Sequence, residues 1–177
     1  MSLDAPFTGQ LYLPDKALTT GTSPVLDAHG HAIAHVQWHF WTVRSRFEIL
    51  DSRGTVLAEG GTQGWTGRQL TVRTPAGRTV VDIRFGLWRP INGATITLGS
   101  GRSLGVRQTS IWSDRNFEFS AGGRVVGRIT PTTGVLSFRP DSYSFVLNSS
   151  AMTALEAISL AQALRAAVRA MRQQHSG

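Results

Sequence analysis

The sequence predicts a mainly β protein ending in one helix, with its sheet closed around that helix. Three observations predict it. Glycines mark turns at a nearly constant interval. Short runs of alternating apolar and polar residues flank those turns. The final segment abandons the pattern and is rich in alanine and leucine.

The turns come first, because they set the period. Gly30, Gly54, Gly77, Gly101 and Gly123 are spaced 24, 23, 24 and 22 residues apart. Each sits in a turn-forming string such as Asp27-Ala-His-Gly30 or Asp51-Ser-Arg-Gly54. Tight hairpins need positive φ, which glycine adopts without a Cβ penalty. Two strands per period place a strand about every 11 or 12 residues, the signal of an up-and-down sandwich or barrel. A hairpin of this size is too short for a four-stranded propeller blade, so a continuous meander is expected.

The strands follow from alternation. Between His31 and Phe40, the residues Ala32, Ala34, Val36, Trp38 and Phe40 fall on one face. His31, Ile33, His35, Gln37 and His39 fall on the other. Side chains two apart share a face, so the first set points inward. Phe47–Ile49, Leu70–Val72, Val81–Phe85, Ile96–Leu98 and Phe117–Phe119 repeat the pattern, with Asp82 and Arg84 outward.

From Ser150 to Arg172 there is no glycine or proline, and the composition favours a helix. Ser149, Ser150 or Thr153 can cap it, and Thr153 with Glu156 has capping-box spacing. Arg165, Arg169 and Arg172 fall in its last turns, where cations suit the helix dipole. Its first half is apolar nearly all round, as in a helix buried on most sides. The competing reading is an amphipathic helix lying on a membrane. Its small alanine and serine residues suit a narrow lumen.

The chain has 177 residues, one domain's worth. It is expected to form a single domain over residues 10–172, with flexible ends at 1–9 and 173–177. The absence of cysteine excludes a disulfide scaffold, thiolate metal sites and thiol catalysis. No signal peptide or clean membrane span is legible, since Glu156, Arg165 and Arg169 interrupt the most apolar stretch. A cytoplasmic protein is expected, with peripheral membrane association as its extension. The net charge of +7, with 17 of 18 basic residues arginine, suits an anionic partner.

Several hairpins resemble those of LURP-one-related proteins. Pro24–Gly30 followed by Phe47–Ala58 is similar to their paired hairpins. Leu70–Arg84 resembles the next hairpin and Asn116–Ile129 a late one. Asp141–Leu147 with the apolar helix after it resembles their ending. The likeness runs from about Gln10 to Val168, carried by the order and spacing of the motifs. It implies the fold that LURP-one-related proteins share with tubby and phospholipid-scramblase domains: a closed antiparallel twelve-stranded barrel around a buried hydrophobic C-terminal helix. Tubby domains bind phosphoinositide head groups through surface lysine and arginine, and scramblase-like members associate with membranes. No lipid-binding motif aligns with particular positions of this chain.

The candidate ligand-binding residues are arginines beside tryptophans. Trp65 precedes Arg68, Trp88 precedes Arg89 and Trp112 precedes Arg115. Tryptophan favours the membrane interface and arginine grips phosphate bidentately. Clustered at one barrel end, these segments would form a head-group or phosphate site. Arg73 and Arg84, on strands of one hairpin, extend the set. Each tryptophan can equally pack in the barrel seam, and each arginine can be a solvated surface charge.

Other chemistry finds little support. His31, His35 and His39 are each about 13 Å apart along a strand, too far to share an ion. His29 and His31 would need a third ligand from a neighbouring strand. No metal site or cofactor is expected. The sequence holds no H-E-x-x-H, no P-loop and no G-x-G-x-x-G opening a helix. Its acids are scattered one or two per hairpin, so no catalytic residue is assigned. Nucleic acid is not an expected partner, for want of a recognised module. The expected function is a non-enzymatic binding module for anionic lipid head groups or phosphorylated partners. The alternative is a structural or protein-interaction protein with no small-molecule ligand.

Overall fold

The computed structural model describes residues 2–14, 22–39, 46–63, 68–86, 91–109, 116–132 and 142–175. Among these, twelve strands precede one helix. The strands are β1 (Pro6–Pro14), β2 (Thr22–Asp27), β3 (Ala32–His39), β4 (Arg46–Leu50), β5 (Val56–Gln63) and β6 (Gln69–Arg73). They continue with β7 (Thr79–Arg84), β8 (Thr95–Leu98), β9 (Ser103–Gln108), β10 (Phe117–Ala121), β11 (Arg124–Pro131) and β12 (Ser142–Thr153). The helix, α1, is Ala154–His175. Each strand pairs antiparallel with its sequence neighbours, and β1 pairs with β12 to close the barrel. Closure leaves no unpaired sheet edge.

Turn chemistry built into the sequence fixes the hairpins. The Asp27 Oδ1 accepts the backbone N–H groups of His29 and His31 at 2.8 and 2.9 Å. Asp51 Oδ1 repeats this with Arg53 and Thr55 at 2.8 Å each. In the β6–β7 turn, Thr74 Oγ1 takes the place of the aspartate and accepts from Arg78 N–H at 3.2 Å. Gly30 and Gly54 close these turns at φ 87° and 83°, as their spacing predicted.

Connections therefore alternate between two ends. The tight turns after β2, β4, β6, β8 and β10 share one end with residues 2–5 and the start of α1. The connections after β1, β3, β5, β7, β9 and β11 share the other. These are called the turn end and the loop end.

The helix occupies the lumen. Every residue from Ala154 to Leu164 is buried. At about 1.5 Å per residue, those residues span about 15 Å, comparable to the height of the shorter strands. Leu155, Ile158, Leu160 and Leu164 join one continuous core with the inward faces of the strands. The strand interiors contribute Phe119 against Phe145, with ring centroids 5.3 Å apart, and Trp38 against Phe47 at 5.2 Å. Gly60 leaves room for the Phe47 ring, which a Cβ there would overlap. Ser159 and Gln162 are fully buried, and their side chains have no hydrogen-bond partner among the described residues.

The cap is a reciprocal box. Glu156 N–H donates to Thr153 Oγ1 at 3.1 Å, and Thr153 N–H donates to Glu156 Oε2 at 2.8 Å. Ser149 and Ser150, read as possible caps, instead belong to β12, so the helix starts later than the composition suggested. β1 starts at Pro6, inside the stretch that the sequence left outside the barrel, and α1 extends past residue 172. In β3 the inward set holds for Ala34, Val36 and Trp38, but Ala32 is exposed at the strand's first position. Phe40 lies outside the described residues. Among the described residues, no helix is long and apolar enough to cross a membrane.

Candidate anion-binding surface

The expected site residues divide between the two ends. Arg68, just before β6, and Arg84, the last residue of β7, are at the loop end. Arg73 closes β6 at the turn end. Five residues of strand separate Arg68 from Arg73, about 17 Å, so one patch cannot contain both. Trp65, Trp88, Arg89, Trp112 and Arg115 lie outside the described residues. The strand ends that flank residues 64–67, 87–90 and 110–115 all belong to the loop end.

A belt of arginines runs along part of that end, from β4 to β11, on the outer face of the sheet: Arg46 on β4, Arg68, Arg84, Arg107 on β9 and Arg128 on β11. Each is exposed because its strand register points it away from the lumen or past the rim. Glu118 on β10 lies between two of them, opposite Arg107 on one side and Arg128 on the other. It accepts from Arg107 Nη2 at 2.8 Å and from Arg128 Nη2 at 2.9 Å. Arg46 pairs with Glu59 and reaches Glu48 at 3.3 Å. Glu48 also faces His39 Nε2 at 3.3 Å. Such exposed pairs each contribute about 0–1 kcal/mol.

Asp82 is a half-buried acid of the belt. Burial would raise its carboxyl, but hydrogen bonds from Gln69 and Thr71 at 2.8 and 2.7 Å outweigh it, aided by Arg84. The group is held below its usual range. Arg84 is thus partly neutralised by Asp82 at 3.3 Å. Arg68 makes no ion pair among the described residues.

Arg165 marks where α1 leaves the lumen. Its Nη1 donates to the Pro14 carbonyl oxygen at 2.8 Å. Its guanidinium lies 5.3 Å from the Trp38 ring centroid and 5.9 Å from that of Tyr143. Sequence reading used Arg165 as a dipole partner and as a charge that interrupts the apolar stretch, not as a clasp, and did not single out Arg46, Arg107 or Arg128. Strand register is the signal that could have joined those three.

At the turn end, His29 and His31 have ring centroids 6.1 Å apart, and His31 Nδ1 is 3.4 Å from Asp27 Oδ2. Among the described residues, no group of three histidines, aspartates or glutamates comes together to hold a metal ion. The string Gly101-Arg-Ser-Leu-Gly105 has the spacing of a hydrolase nucleophile elbow, a pattern that sequence reading wrongly counted as absent. Here it runs from a hairpin turn into β9. The strand-turn-helix that would lift Ser103 into a site is missing.

No protein-family model matches the chain, and no curated protein matches it. Among solved structures, it is similar to an X-ray structure of a protein from Arabidopsis thaliana, with 14% identity and a TM-score of 0.59. The match covers 92% of this chain and 93% of that one. What the two share is therefore the fold over nearly their whole lengths.

Proposed function

We propose that the barrel is a non-catalytic binding module that docks its loop end on anionic lipid head groups. The observation that carries this reading is the placement of strand ends. Those flanking the three Trp–Arg segments share one end, and the arginine belt runs along part of it. Guanidinium groups grip phosphate bidentately, and tryptophan as a residue type favours the membrane interface. The order of the hairpin motifs and the full-length fold likeness support kinship with LURP-one-related proteins. In this reading the protein is cytoplasmic and peripheral to the membrane.

Co-sedimentation tests it, using phosphatidylcholine vesicles with and without phosphoinositide or cardiolipin, at low and high salt. Binding is expected only to the anionic vesicles and to weaken with salt. Arg68→Ala is expected to weaken binding more than Arg84→Ala, because Asp82 already partly neutralises Arg84. Binding that ignores lipid charge would sink the proposal. Absence of vesicle binding with capture of a phosphorylated peptide would transfer the same arginines to a protein partner.

A further inference from the structure

The turn end holds a second feature, on the far side of the barrel from the proposed docking surface. Residues 2–5 cross the barrel there before β1 begins. The Leu3 carbonyl accepts the Leu155 N–H at 2.9 Å, and the Leu3 side chain packs on the core. Beneath this strap lies a cavity of about 300 Å³. Leu3, Ile33, Leu57 and Leu155 supply its apolar walls, while Asp4, Asp51 and Arg78 supply its charges.

The charges are not equally committed. Asp51 spends Oδ1 on two turn N–H groups and is held below its usual range, first by the Thr55 N–H, against burial, and then by the Arg53 N–H. Among the described residues, the Arg78 guanidinium pairs only with Asp4, at 3.7 Å, and both side chains are about 70% exposed. A contact that long and that wet is easily exchanged. The Asp4–Arg78 pair also separates this cavity from a smaller one of about 120 Å³, which reaches Ser100 and Glu156. Removing Asp4 from Arg78 would leave the guanidinium, which lines both, without its ion-pair partner.

We infer that this cavity binds a small amphipathic carboxylate. The ligand head replaces the Asp4 carboxylate on Arg78, and its apolar tail lies against Leu3, Ile33, Leu57 and Leu155. Asp4 is then an internal competitor, tethered beside Leu3, whose carbonyl and side chain anchor the strap. Such a site sets apolar walls beside one cationic anchor, Arg78, with Asp4 and Asp51 as its two anions.

Calorimetric titration of the full chain with acetate, hexanoate, octanoate and octylammonium tests the inference. Octanoate is expected to bind more tightly than hexanoate, by about fourfold for each methylene that becomes buried. Arg78→Gln is expected to weaken octanoate by up to about fivefold, the value of an exposed ion pair. Asp4→Asn is expected to tighten it, because the competitor loses its charge. The opposite signs separate a site from a folding defect, which would weaken both variants. The inference is overturned if octanoate gives no saturable binding, if both variants bind it like the wild type, or if octylammonium binds better.

Discussion

Arg165 Nη1 donates to the Pro14 carbonyl oxygen at 2.8 Å, joining residues 151 positions apart. The bond fastens the helix to the end of the first strand at the loop end. The Trp38 and Tyr143 rings hold the same guanidinium from the side. Arg165→Met keeps the aliphatic stem but removes the hydrogen bond and the cation–π contacts. It is expected to cost about 1–3 kcal/mol, read from urea denaturation. A variant as stable as the wild type would show the clasp to be incidental.

At the opposite end, Glu156 fastens the helix to the β8–β9 turn. One carboxylate oxygen accepts the Ser100 N–H at 2.9 Å and the other accepts the Thr153 N–H at 2.8 Å. Its side chain is nearly buried. Glu156→Ala orphans both donors and is expected to cost about 2–4 kcal/mol. Glu156→Gln retains one acceptor and should cost clearly less. Equal losses in the two variants would contradict this account.

Gln162 offers a change of opposite sign. Its amide is fully buried with no hydrogen-bond partner among the described residues. Gln162→Met nearly conserves volume while removing the desolvated donor and acceptor. It is expected to stabilise the fold by about 1–3 kcal/mol, seen as a higher urea midpoint at unchanged slope. Destabilisation would mean that a buried water satisfies the amide.

Two turn aspartates and one strand aspartate set the response to acid. Asp27, Asp51 and Asp82 are all held below their ordinary value of 3.8 in the fold. A depressed carboxyl adds stability that is present above its unfolded value and lost as pH falls through the folded one. The melting temperature should therefore carry the full contribution of these groups, with little pH dependence from them, above about pH 5, and fall below pH 3.8. Asp51→Asn retains an acceptor for the turn but cannot titrate, so its melting temperature should fall less steeply. An unchanged slope would remove Asp51 from the explanation.

The fold was legible where its causes are local. A hairpin needs positive φ at one residue, so Gly30 and Gly54 announce turns whatever else the chain does. Thr153 and Glu156 announce a cap because both partners lie within one helical turn. The arginine belt was not legible, because Arg107, Glu118 and Arg128 meet only through the register of three strands, and a bulge between Phe119 and Ser120 shifts that register. Arg68 and Arg73 look like neighbours in sequence, yet an extended strand sends them to opposite ends. The role of Arg165 depends on Pro14, Trp38 and Tyr143, which no helical pattern can foresee.

The placement of α1 has a consequence for synthesis. All twelve strands leave the ribosome before the segment that fills them. Closure of β1 on β12 also waits until nearly the last strand residue has emerged. Until then, the inward faces around Phe47, Phe119 and Phe145 have nothing to cover them. Non-local pairing of this kind is slow, and exposed apolar sheet invites aggregation. The nascent chain therefore passes through a long, sticky interval that ends in a single late commitment. A stall in translation between β12 and the helix would be far more damaging than one between two hairpins.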